Sequence, residues 1–118
     1  MIVRYLTGDP PRLAARAARI IEGEATLGLT DVVVAETAYV LSSAYGVPRR
    51  AVVDVLVDLL QRRNLTVFRL DKGTGIQGLL LCRPSNRVSF ADAMVWAAAR
   101  SAGAEGVYSF DERLPSAR

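Results

Sequence analysis

Histidine is missing from this chain altogether, while cysteine and lysine each occur once. Each shortage closes a class of chemistry. Without histidine there is no Ser-His-Asp triad and no Cys/His zinc centre, so any metal used here is held by oxygen. The single Cys82 has no partner for an intramolecular disulfide. No apolar stretch reaches the roughly 18 to 20 residues that a membrane span needs, and the N-terminus has neither the charged nor the apolar region of a signal peptide. The expected location is therefore the cytoplasm, with no membrane partner.

What is present reads as a single globular domain over residues 1–118. Of the 118 residues, 51% are hydrophobic, enough for a core that needs no metal or disulfide staple. Fifteen basic residues against twelve acidic ones give a net charge of +3, which permits an anionic partner without demanding one. Every basic residue except Lys72 is arginine, whose planar fork suits phosphate better than an ammonium does. A high-GC codon bias would enrich arginine and alanine equally well, so the composition decides nothing by itself.

Glycine and proline divide the chain into short helices alternating with brief β-branched runs. Asp9-Pro10-Pro11 reads as a cap with proline at the first helical positions. Leu13, Ala17, Ile20 and Ile21 then recur at helical spacing, with Arg12, Arg16 and Arg19 on the other side and an end near Gly23. A strand candidate covers residues 25–29. Thr30 caps a helix over 32–45, stopped by Gly46, and a second helix runs from Pro48 to Arg63 on the repeat Val52, Val53, Leu56, Leu59 and Leu60. A strand is expected over 66–70, a weaker helix from Asp71 to Cys82, a strongly apolar helix over 90–102 stopped by Gly103, and a last strand over 106–110. Strands alternating with helices imply a parallel sheet with helical crossovers, hence an α/β fold. Three readable strands are few for this many helices, so one strand is hidden or missing.

Three carboxylates stand where solvated surface charges are not expected. Glu36 is the only charge in Val32-Val33-Val34-Ala35-Glu36-Thr37-Ala38-Tyr39-Val40-Leu41, a helix apolar nearly all round and so expected to be mostly buried. Asp92 is the only charge in the first turns of an even more apolar helix. Asp111 follows the last strand, at the carboxyl end where open parallel sheets place ligands. Plain structural roles exist, since Ser89 to Asp92 and Ser109 to Glu112 both fit capping boxes. Together, though, three isolated carboxylates match the hard oxygen ligands of Mg²⁺ or Mn²⁺, which points to phosphodiester chemistry.

Leu6-Thr7-Gly8-Asp9, Val34-Ala35-Glu36-Thr37, Ser89-Phe90-Ala91-Asp92-Ala93 and Ser109-Phe110-Asp111 with Leu114, in that order and spacing, resemble a PIN-domain ribonuclease of the VapC toxin type. The resemblance spans essentially the whole chain. It implies a three-layer α/β/α sandwich around a small parallel sheet, in which Glu36, Asp92 and Asp111 are the catalytic metal-binding acids and Ser109 is the auxiliary hydroxyl beside the last of them. It further implies an endoribonuclease using Mg²⁺ or Mn²⁺, a cognate antitoxin that holds it inactive, and a homodimer. Members of the family usually open on an apolar strand ending in Asp-Thr/Ser-Asn before a segment similar to Met1-Ile2-Val3-Arg4-Tyr5-Leu6. That strand and its aspartate have no counterpart here, and Asp9, beyond the first helix, does not replace it. The chain as written is thus expected to bind metal weakly and to cut RNA little. The alternative reading is a non-catalytic PIN-like protein that binds RNA or an antitoxin.

Arg83 and Arg87, on the loop before Asp92, are candidate guides for RNA phosphates, against the plainer reading of a solvated loop. Tyr39, Tyr45 and Trp96 offer faces for base stacking, but on apolar helices they are expected in the core.

Overall fold

The computed structural model describes residues 1–68 and 70–103. Its elements follow in the order α1 (Ile2–Thr7), α2 (Pro11–Ile21), β1 (Leu27–Thr30), α3 (Asp31–Ser43), α4 (Arg49–Leu60), β2 (Leu65–Phe68), α5 (Lys72–Cys82) and α6 (Phe90–Ser101). The two strands pair in parallel with Leu27 opposite Leu65 and Thr30 opposite Phe68, which gives the α/β class and the small parallel sheet that the sequence predicts. The expected strand over 106–110 lies outside the described residues.

The register is set at its start by one side chain. Asn64 Nδ2 donates to the carbonyls of Ile21 (2.8 Å) and Ala25 (3.2 Å), and the Asn64 carbonyl accepts from Leu27 N at 2.7 Å. At the other end Thr30 changes role: it closes β1, and its hydroxyl accepts from Val33 N at 3.1 Å to cap α3. Asp71 does the same for α5, accepting from Thr74 N at 3.0 Å. Two helix-start expectations therefore hold. The one at Asp9 does not, because Pro10 occupies the cap position of α2 and leaves Asp9 a residue too early; α2 carries no side-chain cap.

The core is built from one stripe per helix. On α4 it is Val52, Val53, Leu56, Leu59 and Leu60, all buried at the predicted spacing, and they close over Ile21, Leu65 and Leu79. Helices α5 and α6 approach closely because Gly78 lacks a side chain: a Cβ there would stand 3.0 Å from the Ala93 carbonyl oxygen and 3.4 Å from Met94 Cε. Gly78 thereby sets the depth at which the first turns of α6 sit. Gly103, with φ of 74°, follows α6 in the left-handed conformation that its expected role as a stop requires.

Helix α3 departs from expectation. Only Val34, Thr37, Ala38 and Leu41 are buried, a clean i, i+3, i+4, i+7 stripe, whereas Val32 is 59% and Tyr39 69% exposed and Glu36 faces solvent. A helix apolar all round buries only as many sides as have neighbours, and here α6, α4 and β1 cover one side. Tyr45 is likewise 44% exposed, while Trp96, at 3%, belongs to the core as read. None of the described helices is long and apolar enough to cross a membrane.

Candidate functional site

Glu36 and the start of α6 meet across one cavity of about 380 Å³, walled by Ala35, Glu36 and Tyr39 of α3, by Arg49, and by Ser89 and Phe90. Asp92 is not in its wall. It stands in the first turn of α6, half-buried, where its amide donates to Ser89 Oγ at 3.0 Å. This is the capping bond expected of Ser89, and it leaves the Asp92 carboxylate to other uses. Among the described residues neither the Glu36 nor the Asp92 carboxylate accepts a hydrogen bond or pairs with a cation.

That is notable because a cation is at hand and is otherwise engaged. Arg49 Nη1 donates to two main-chain carbonyls, Cys82 at the end of α5 and Val88 just before the Ser89 cap, both at 3.0 Å. Its guanidinium carbon also sits 4.6 Å from the centroid of the Phe90 ring. One side chain thus ties together the two ends of the loop over 83–88 and holds the residue that begins α6. Sequence reasoning overlooked Arg49. The available signal was local: two arginines open α4 with no acidic residue in its first turn, against the helix dipole, an arrangement that asks for a partner elsewhere in the fold.

Cys82, beneath this loop, is fully buried. Burial pushes its thiol up to about 11, with Arg49 acting against the shift and the negative charge of Asp92 adding to it. The free thiol stays protonated at neutral pH. The donors left near the cavity are carboxylate and hydroxyl oxygens, a set that fits Mg²⁺ or Mn²⁺ in kind.

Arg83 and Arg87 part company. Arg83 grips Asp54 of α4 through Nε to Oδ1 (2.8 Å) and Nη2 to Oδ2 (3.1 Å), and that bonding holds the Asp54 carboxyl below the ordinary range. Arg87 is exposed, and among the described residues its guanidinium has no partner. Ser109 and Asp111 lie outside the described residues. Within the described residues no three acidic or cysteine side chains gather into a metal-sized cluster.

The carboxyl end of the sheet forms a second depression, where Thr30, Asp31, Val32 and Phe68 meet Ala98 of α6 and Ala102 just after it. Asp92, six residues before Ala98, stands ~9 Å along the helix from that end, at 1.5 Å per residue. The two described carboxylates of the predicted set therefore belong to the α3 and α6 face rather than to the tips of these two strands.

A family model for the PIN domain matches residues 1–118, the whole of this α/β arrangement. The chain belongs to the PIN-domain family. No curated protein and no solved structure matches it. PIN domains are generally metal-dependent nucleases, and in this PIN domain the positions that the sequence singled out on α3 and α6 are both described, with no partner for either carboxylate among the described residues.

Proposed function

We propose that this PIN domain is an endoribonuclease of the toxin type that works with Mg²⁺ or Mn²⁺ and is restrained by a cognate antitoxin, acting as a homodimer. Glu36, Asp92 and Asp111 would hold the cation, with Ser109 beside the last. The observation that carries this reading is the pair of carboxylates on facing helices that have no partner among the described residues, while the arginine lining the same cavity as Glu36 donates through Nη1 to the main chain. A lone carboxylate beside a guanidinium normally takes it as partner. Here Arg49 serves the loop instead, so the negative charge of Glu36 and Asp92 stays available.

When bound, the cation supplies a more acidic water and offsets charge on the phosphate. The remaining work falls to the chain itself. Ser89 fixes the direction in which α6 presents Asp92, Arg49 holds the Val88 carbonyl just before it, and Gly78 sets the helix depth. Arg87, exposed on the loop that Arg49 ties down, is placed to meet a substrate phosphate, a role closed to Arg83 while it holds Asp54.

The test is RNA cleavage with Mn²⁺, with EDTA, and with Asp92→Asn or Glu36→Gln. Cleavage that needs the cation and drops at least a hundredfold in either variant supports the reading; cleavage that survives EDTA refutes it. The competing reading is a PIN-like RNA or antitoxin binder that does not cut. RNA binding without cleavage at saturating Mn²⁺ would decide for it.

A further inference from the structure

The arginines of α2 play no part in the site described above. Arg12, Arg16 and Arg19 lie at i, i+4 and i+7, so their side chains share one face of the helix; all three are exposed and wall a shallow groove floored by Ala15. The opposite face, Ala14, Ala17 and Ile21, is buried. Among the described residues none of the three guanidinium groups has a hydrogen bond or an ion pair.

This arrangement is unfavourable for the helix on its own. Like charges three and four residues apart repel, and Arg12, in the first turn, opposes the helix dipole with no acidic residue there to offset it; of the three only Arg19, in the last turn, suits the dipole. A row of uncompensated guanidinium groups spread over ~10 Å of helix is a surface made for a repeating anion. We infer that the Arg12, Arg16 and Arg19 face of α2 is a track for the phosphate backbone of RNA. The chemistry favours phosphates over an acidic polypeptide. The groove floor is a single alanine and its walls are arginine, so it offers none of the apolar centre on which protein interfaces rest. The inference rests on the proposed function only for the identity of the polyanion; the track itself needs no metal.

The experiment is fluorescence anisotropy of a labelled single-stranded RNA in EDTA, between 50 and 200 mM salt, with the wild-type chain, R12Q/R16Q/R19Q, and the control R50Q/R63Q. Each single-strand phosphate contact contributes about 0.7 to the slope of log K against log salt. The triple variant should therefore lose about 2 from the slope, so that its affinity falls about twentyfold less over this range. The control should keep the wild-type slope. Glutamine keeps helix propensity close to that of arginine, and relief of the repulsion leaves the triple variant at least as stable as wild type. An unchanged slope in the triple variant, an equal loss in the control, or RNA binding kept while binding to poly-glutamate disappears would each overturn the inference. Because EDTA is present throughout, these results are independent of whether Glu36 and Asp92 support cleavage.

Discussion

Arg49→Ala removes in one step two hydrogen bonds and a ring contact, and leaves the carbonyls of Cys82 and Val88 without their donor. A hydrogen bond from a charged group contributes about 1.5 to 3 kcal/mol net. The site is half-buried, so the lower end applies and water replaces part of each bond. The contact with Phe90 adds about 0.5 to 1 kcal/mol. The expected destabilisation is then about 2 to 4 kcal/mol, which at ~4 °C per kcal/mol for a chain of this size lowers Tm by about 8 to 16 °C. Arg49→Lys keeps one charged donor but not the fork over the ring, and recovers about half. Urea unfolding followed by circular dichroism gives both values. Hydrogen exchange should also show the amides of 83–92 opening before the rest of the protein, because the loop and the Ser89 cap lose their common anchor. A loss below about 0.5 kcal/mol, the range of an ordinary surface change, would refute the assignment of Arg49 as the anchor.

Four further outcomes are expected. Cys82, with its thiol raised to about 11 by burial, should resist labelling by a disulfide reagent at pH 8 until urea unfolds the protein; fast labelling of the native state would contradict its burial. The same shift makes the native state lose stability as pH rises from 9 towards about 11, since the unfolded thiol ionises first. Asp54, lowered by its bond to Arg83, and Asp71, lowered by the Thr74 amide, stabilise the fold above the ordinary value of 3.8; urea midpoints should fall as pH drops below that value through their folded values. Gly78→Ala should destabilise the chain despite alanine's better helix propensity, because the new methyl meets the Ala93 carbonyl at 3.0 Å; an unfolding midpoint equal to or above wild type would show that α5 and α6 have room to part.

Much of the fold was legible because local chemistry and tertiary packing agree. Thr30, Asp71 and Ser89 cap the helices they precede, and the apolar stripe of α4 is buried as its spacing requires. Where local chemistry was silent, the reading failed. Glu36 sits on an apolar helix, and composition alone predicts burial; its exposure depends on which side of α3 receives a neighbour, a property of the whole chain. Arg83 looked like a free loop cation because Asp54 is 29 residues away and no periodicity links them. Arg49 was invisible for the same reason, being 33 and 39 residues from the carbonyls it holds. Only its unfavourable place at a helix start hinted at a distant partner. The family resemblance, by contrast, rested on short motifs in order, and the whole-chain family match agrees with it.

The proposed function requires a divalent cation bound between α3 and the first turn of α6. Mn²⁺ titrated into the ¹⁵N-labelled protein tests it directly, since the paramagnetic ion broadens nearby amides. Glu36 and Ala91 to Asp92 should broaden first, and Glu36→Gln and Asp92→Asn should each abolish the effect. Broadening centred instead on Thr30 and Asp31 at the sheet end, or no broadening at millimolar Mn²⁺, would contradict it.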